Sequence, residues 1–331
     1  MLTIKEIAEM ANVSRATVSR VLNESGYVSA AAKKRVMEVI EKTGYVPSQH
    51  AKSLRTKQTK VIGVILPKIS TETSSRVVDG MNDVFSEHGY QILLTTTNLN
   101  PEKEIEYIRL LKSRQVDGIV LIATNINKEL MAEIEQLQIP FVAIGQDIPG
   151  VCSVTYDDYE ASKTMAKAII EKGYKNIAFI GVDESDRAVG IRRKKGFLDS
   201  MKEHNLTVRE GWVKETNFGI LSGYEAMKEI MEQSKKDDYP DAVFAVTDRI
   251  AIGAMQYLKE AGYKIPNQMA VSGMGAADIS QYVQPALTTI EYENQRAGEE
   301  AAFMLLDQIV KNEKNDKKMI LGYRLIVRDS I

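Results

Sequence analysis

From Lys60 onward, short apolar runs alternate with amphipathic stretches of helical periodicity. The apolar runs indicate buried parallel strands: "VIGVILP", "YQILLTT", "DGIVLIA", "PFVAIG", "NIAFIG", "DAVFAVT" and "MAVSGM". Helical stretches such as "PEKEIEYIRLLKSR" lie between most of them. Repeated strand–helix units fold into a parallel, doubly wound sheet with helices on both faces. This region is large for one sheet, so it predicts an α/β core of two Rossmann-like lobes facing across a cleft.

Three short helices are predicted before the first strand. A capping box starts at Thr3, and apolar residues then recur at helical spacing in "IKEIAEMA". Asn12 tolerates the left-handed conformation of a tight helix exit. Ser14 can cap a second helix from Arg15 to about Asn23. A third helix, over about residues 30–42, follows a serine cap and stops at a glycine.

The second helix has two unlike sides. Its apolar side consists of Val18, Val21 and Leu22. Its polar side consists of Ala16, Ser19, Arg20 and Asn23. Helix, short turn, helix and supporting helix is the helix-turn-helix layout, in which the second helix enters the major groove of DNA. A solvated face on a small three-helix bundle is the alternative.

The charge of the chain divides near the same place. Residues 1–60 hold 11 Lys and Arg against 5 Asp and Glu, a net charge of +6, whereas the remainder carries −8. A basic head on an acidic body suggests a polyanionic partner for the head. Chance asymmetry would explain the charge equally well, so the helical pattern decides in favour of DNA.

The segment "TIKEIAEMANVSRATVSRVLNESGYVSAAAKKRVMEVIEKTGYVP" resembles the DNA-binding head of the LacI/GalR family of bacterial repressors. The segment "HAKSLRTKQTKVIGVILP" resembles the hinge and first core strand of that family, and the similarity extends to the C-terminus. It implies a helix-turn-helix domain at 1–47, a hinge helix and linker at 48–60, and an effector-binding and dimerisation core at 61–331. The core would have the periplasmic-binding-protein fold, with three crossovers between lobes.

The resemblance also implies a homodimer on a pseudo-palindromic operator. The operator-reading positions fall on Arg15, Ala16 and Arg20. Further DNA-contact candidates are Thr3, Ser14, Thr17, Asn23 and Tyr27. In the hinge, Leu54 matches the apolar wedge that opens a base step in the minor groove, and Ala51 is small enough for two hinges to approach. Without the resemblance, this segment would be interpreted as a flexible linker.

Eight candidates for effector binding come from strand ends and from matched family positions. In the first lobe they are Ser70, Thr73 and Gln146. In the second lobe they are Arg193, Phe218, Thr247, Asp248 and Tyr292. The donors of Arg193 suit vicinal hydroxyls or a carboxylate, and the ring of Phe218 can cover the C–H face of a sugar. The alternatives are a solvated arginine, a core phenylalanine and a helix cap at Asp248.

Three departures from the family pattern concern the ligand. Gly275 stands where the family usually has an effector-binding carboxylate, "STETSS" lacks two aromatic residues, and Gly145–Gln146 replaces a common Asp–Arg pair. They imply a roomier pocket of different polarity and argue against a galactoside or purine ligand. The segments "KISTETSS", "AIGQDI" and "RAVGIRRKKGF" most resemble Gram-positive sucrose-type or related disaccharide repressors. The predicted effector is therefore sucrose or a related disaccharide. A catabolite-control-type regulator, with a phosphorylated phosphocarrier protein as corepressor, is the nearest alternative.

Other classes of protein fit the sequence poorly. The three histidines have no metal-ligand spacing, Cys152 stands alone, and no P-loop or nucleophile elbow occurs, so neither an enzyme nor a cofactor is expected. A secreted solute-binding protein would have a signal peptide and no helix-turn-helix. No apolar run approaches ~20 residues, so no membrane span is expected. The expected location is the bacterial cytoplasm, at the nucleoid when the protein is bound to its operator.

Overall fold

A computed structural model describes residues 2–45, 58–234, 238–311 and 316–331. The chain divides into two compact units, Met1–Thr59 and Lys60–Ile331. The predicted hinge contacts Ala51 and Leu54 lie outside the described residues. None of the described helices is long and apolar enough to cross a membrane.

The N-terminal unit contains the three predicted helices. They are α1 (Ile4–Met10), α2 (Arg15–Leu22) and α3 (Ala30–Thr43). Their predicted ends are confirmed: Thr3 forms the capping box, Ser14 and Ser29 cap the next two helices, and Gly44 adopts φ 62°. Asn12 has φ 52°, the left-handed conformation expected of the turn between α1 and α2. A small apolar core holds the unit together, centred on the fully buried Ile7, Val18 and Val36.

The first lobe of the core is a six-stranded parallel sheet with helices packed on it. Its elements, in chain order, are β1 (Val61–Leu66), α4 (Glu72–Glu87), β2 (Gln91–Thr96), α5 (Pro101–Ser113), β3 (Gly118–Ile122), α6 (Lys128–Glu135), β4 (Phe141–Ile144) and β5 (Cys152–Tyr156). The strand order is β2-β1-β3-β4-β5, and a late strand completes the sheet beside β5. Because β2 is an edge strand, one row of its backbone groups is unpaired within the sheet.

The second lobe has a four-stranded parallel sheet. The elements of this lobe are α7 (Asp158–Glu171), β6 (Ile177–Val182), α8 (Arg193–Glu203), β7 (Val213–Thr216), α9 (Ile220–Gln233), β8 (Ala242–Ala245), α10 (Asp248–Glu260), β9 (Ala270–Ser272) and β10 (Thr289–Tyr292). The strand order in the sheet is β7-β6-β8-β9. A π-helical turn, Arg187–Arg192, precedes α8. The predicted two-lobed α/β fold is confirmed.

The chain returns to the first lobe with α11 (Asn294–Lys311) and β11 (Lys318–Leu321), and then leaves it with β12 (Tyr323–Ile326). β11 pairs with β5, whereas β12 pairs with β10. Crossings between lobes therefore occur at 156–158, 292–294 and 321–323, in agreement with the three that the resemblance implies. We call these the crossing segments.

The return helix α11 lies unusually close to α4. A Cβ at Gly80 would stand 2.0 Å from the carbonyl oxygen of Gln295, and a Cβ at Gly298 would stand 2.0 Å from that of Val77. Two glycines therefore let the helix backbones touch. This contact fixes the start of α11, and with it the second crossing segment, against the first lobe.

Candidate functional site

A cavity of about 200 Å³ lies between the two lobes, where the carboxyl ends of their strands face each other. Ligands of open parallel sheets bind at this edge. Of the predicted effector residues, those in the cavity wall are Thr73, Gln146, Arg193, Phe218, Thr247, Asp248 and Tyr292. Ser70 is exposed and lies outside the wall.

Arg193 is not a solvated arginine, because its side chain is only 9% exposed and belongs to a buried ion pair. Its Nε donates to Oδ1 of Asp158 at 2.7 Å, and its Nη1 donates to the carbonyl oxygen of Val246 at 2.6 Å. The hydroxyl of Tyr292 donates to the same Asp158 oxygen at 3.1 Å. Within the described residues Nη2 has no acceptor, so half of the guanidinium fork remains available to a ligand.

Thr247 and Asp248, two adjacent residues just after the end of β8, have different structural roles. Thr247, rather than Asp248, is the N-cap of α10, accepting a hydrogen bond from the amide of Ile250. The buried Asp248 accepts from the hydroxyl of Thr289 at 2.5 Å and from the amide of Ala277 at 2.6 Å. Burial raises the pKa of Asp248 to about 6. This carboxylate therefore braces the cavity wall, and only its remaining lone pairs can reach a ligand.

Phe218 is half-buried, with a backbone φ of +66°. A bulky residue in the left-handed region is strained, and such strain concentrates at ligand clamps. Its ring packs on the edge of the second-lobe core and also forms part of the cavity wall. The two interpretations of Phe218, as a core residue and as a ligand-stacking residue, are thus compatible with its position.

A hydrogen bond between two residues of the cavity wall joins the lobes. Gln146, at the end of β4 in the first lobe, donates to Oδ1 of Asp186 in the second lobe at 2.8 Å. The same oxygen accepts from the amide of Val189 and so caps the π-helical turn. Burial raises the pKa of Asp186.

A second group of contacts joins the lobes near the start of α4. Arg76 forms an ion pair of 2.6 Å with Asp278, and the carboxylate of Glu72 accepts from the amide of Asp278 at 2.5 Å. Asp278 belongs to the second lobe, whereas α4 belongs to the first. With the Gln146 bond, these contacts join the two lobes at the cavity in two places.

Glu104, a residue that the sequence did not single out, is buried behind the first-lobe wall. Its carboxylate accepts hydrogen bonds from the hydroxyl of Thr124 at 3.1 Å and from the side-chain amide Nδ2 of Asn125 at 2.7 Å. Burial raises the pKa of Glu104 to about 7. Because Thr124 lines the cavity, Glu104 holds part of the first-lobe wall in place.

In the N-terminal unit, α2 presents the predicted polar face. Arg15, Ala16 and Arg20 are exposed, and Tyr27 is 89% exposed. Three other DNA-contact candidates also have local structural roles. Thr3 and Ser14 cap helices, and the side-chain amide of Asn23 donates to the carbonyl oxygen of Ser19 at 2.5 Å.

Two parts of the chain match known domains. Residues 3–48 match the bacterial regulatory proteins of the lacI family, and residues 166–331 match the periplasmic binding protein-like domain. The chain is 33% identical over 330 residues to the HTH-type transcriptional regulator RegA of Clostridium saccharobutylicum, covering 99% of this chain and 98% of that protein. This chain belongs to the lacI family of bacterial regulatory proteins.

Further relatives agree with this assignment. The sucrose operon repressor of Staphylococcus xylosus is 32% identical over 321 residues, covering 97% of this chain and 98% of that protein. Catabolite control protein A of Priestia megaterium is 30% identical over 331 residues, covering 99% and 98%. A solved structure of the transcriptional regulator CelR in complex with cellobiose has a TM-score of 0.75 and 25% identity, with 100% of both chains covered.

The cavity of this lacI-family regulator includes residues that sequence reasoning did not select. Among them are four residues with polar or charged side chains: Tyr156, Asp158, Asp186 and Asn294. Tyr156, Asp158 and Asn294 belong to crossing segments, and their proximity depends on the return of the chain rather than on a local motif. At one departure from the family pattern, Gly275 has φ +127°, and a Cβ there would lie 4.0 Å from Oδ2 of Asp248. Asp248 thus supplies a carboxylate next to the position where this chain lacks one.

Proposed function

We propose that this protein is the repressor of a carbohydrate-utilisation operon, acting in the cytoplasm on a pseudo-palindromic operator. A small sugar in the interlobe cavity would control its affinity for DNA, and no catalytic step is involved. The observation that carries the proposal is a cavity lined by both lobes and bridged by the Gln146–Asp186 hydrogen bond, in a chain with a helix-turn-helix head.

The chemistry of the wall supports an uncharged sugar. Phe218 supplies an aromatic surface, while Nη2 of Arg193, Gln146 and Thr247 supply polar groups around it. An apolar wall with a few placed polar groups is the usual composition of a small-molecule site. The similarity to a sucrose operon repressor and to a cellobiose complex favours sucrose or a related disaccharide as the effector.

The interlobe contacts support a mechanism of control. A ligand that touches both lobes stabilises the arrangement in which they are closed. If closure changes the spacing of two hinges, the ligand shifts the affinity for DNA through the hinge. The proposed minor-groove contacts of that hinge are Leu54 and Ala51, and the proposed base-reading contacts of the head are Arg15, Ala16 and Arg20.

Exposed apolar side chains on both lobes support a homodimer. On the first lobe they are Leu93, Leu94 and Leu110. On the second lobe they are Leu221, Ile279 and Tyr282. Leu93 and Leu94 lie on the edge strand β2, where an uncovered apolar surface favours association. A dimer would place one head on each half of a pseudo-palindromic site.

Operator binding under a panel of compounds tests the proposal. An operator selected from random DNA would be titrated with the protein in the presence of sucrose, related disaccharides, their sugar phosphates and a phosphorylated phosphocarrier protein. We expect one neutral disaccharide to change operator affinity. Failure to select any operator would refute the proposed DNA-binding function.

The similarity to catabolite control protein A favours a second candidate. In that case a phosphorylated phosphocarrier protein would be the corepressor. It would strengthen operator binding, and the disaccharides would have no effect of their own. The same titration therefore separates the two candidates.

A further inference from the structure

Two polar side chains in the cavity wall are buried without a hydrogen-bond partner in the described part of the chain. They are the hydroxyl of Tyr156 and the amide of Asn294, of which neither Oδ1 nor Nδ2 is paired. The residues are 8% and 2% exposed. A buried polar group without a partner is destabilising, so its presence calls for an explanation.

Both residues lie on crossing segments. Tyr156 ends β5 just before the first crossing, and Asn294 begins α11 just after the second. The Tyr156 ring packs against Tyr292 with centroids 5.1 Å apart, which holds the Tyr156 side chain in the wall. The Tyr292 hydroxyl is paired with Asp158, whereas that of Tyr156 has no partner among the residues that the structure describes. The two unpaired groups therefore lie where the chain crosses between the lobes.

The unpaired atoms of Tyr156 and Asn294 favour one kind of ligand group. Burial raises the pKa of Tyr156, so its hydroxyl keeps its proton and can donate. Asn294 offers both a donor and an acceptor, and exchanging its oxygen and nitrogen would still leave one donor and one acceptor unpaired. A hydroxyl both donates and accepts, so adjacent hydroxyls can satisfy all three atoms. A phosphate or carboxylate would satisfy the donors but would turn a negative oxygen toward Oδ1 of Asn294.

We propose that Tyr156 and Asn294 bind neighbouring hydroxyls of an uncharged sugar at the crossing segments and select against its phosphorylated form. The proposal rests on the proposed effector function and names two further specificity residues for it. A ligand held there would contact the segments that connect the lobes, as well as the walls that Phe218 and Arg193 provide.

Calorimetric titration of the full-length protein tests this, with sucrose, cellobiose and glucose 6-phosphate as probes. Tyr156→Phe removes one hydroxyl, and Asn294→Leu removes the amide at similar volume. Each should weaken binding of the neutral sugar by about 10-fold, the effect of one or two lost hydrogen bonds. The control is Tyr263→Phe, a half-buried second-lobe tyrosine outside the cavity wall, which should bind as wild type does.

Thermal unfolding without ligand separates a ligand contact from a structural role. Removing an unpaired buried hydroxyl leaves no partner unsatisfied, so Tyr156→Phe should not lower Tm. A lowered Tm, or sugar affinity equal to wild type in both variants, would overturn the inference. Preferred binding of glucose 6-phosphate would also overturn it, while leaving effector control intact. If the wild type binds none of the probes and its operator affinity is the same with and without them, the proposed class of effector is wrong.

Discussion

Replacing Arg193 with alanine should make the second lobe easier to unfold, because Asp158 would remain buried without the guanidinium group that neutralises it. The Asp158 side chain is 2% exposed, and after the change its remaining side-chain donor within the described residues is the hydroxyl of Tyr292. Removing one partner of a buried ion pair costs about 3–5 kcal/mol. The lost hydrogen bond to the Val246 carbonyl is part of this structural role. Arg193→Ala should therefore reduce the free energy of unfolding by about 3–5 kcal/mol.

The measurement is urea unfolding followed by tryptophan fluorescence. The chain has one tryptophan, and Trp212 is 5% exposed in the second lobe, so its emission reports on that lobe. Arg192→Ala, the exposed neighbour, is the matched control and should change stability by less than about 0.5 kcal/mol. In the double variant with Asp158→Asn, the loss should be smaller than the sum of the single losses by about 1–3 kcal/mol. If Arg193→Ala lowers the free energy of unfolding no more than Arg192→Ala does, the Arg193–Asp158 ion pair does not stabilise the fold.

Three further outcomes are expected. Arg20→Ala should weaken operator binding by about 1–3 kcal/mol and relax specificity at one base pair per half-site. Titration of operators with single base changes checks this. An equal loss of affinity for every operator variant would indicate a phosphate contact instead. Glu104→Gln should alter the pH dependence of stability. The folded-state pKa of Glu104, about 7, lies above its ordinary value of 4.5. The contribution of the protonated Glu104 to the free energy of unfolding is therefore fully present below pH 4.5, and it is lost as the pH rises through about 7. Between pH 5 and pH 8, the free energy of unfolding measured in urea should fall by about 2.5 kcal/mol more in the wild type than in the variant. An equal decrease in both proteins would contradict the assignment. Leu221→Arg should convert a dimer to a monomer in sedimentation at micromolar concentration, since Leu221 is 72% exposed; an unchanged dimer would place the interface elsewhere.

Unbroken apolar runs were enough to locate the strands at the centre of each sheet, because such strands are buried on both faces. Five of the described strands, β5, β7, β10, β11 and β12, lacked that signal. In β5, Ser153 and Thr155 interrupt the run, yet both are buried and donate to carbonyl oxygens of Val151 and Met319. The edge strand β7 is only partly buried and reads "VKET". The return strands β11 and β12 are likewise only partly buried.

Some residues of the candidate site could be predicted from the sequence, and others could not. Strand ends pointed to Gln146 and Thr247, because the carboxyl edge of a parallel sheet is where ligands bind. The partner of Arg193 was not predictable from spacing, since Asp158 lies 35 residues earlier. Tyr156 and Asn294 meet in one wall only because the chain crosses between lobes and returns. Periodicity describes single elements, and these contacts depend on how the elements pack.

Reciprocal coupling between operator and sugar tests the central claim most directly. Operator affinity would be measured by fluorescence anisotropy with and without saturating disaccharide, and disaccharide affinity by calorimetry with and without operator. If the ligand and operator favour different lobe arrangements, each should weaken the other by the same factor, equivalent to about 1–3 kcal/mol. Phe218→Ala, in a folded protein, should weaken sugar binding and with it the response. A disaccharide that binds the cavity while operator affinity stays constant would contradict the account.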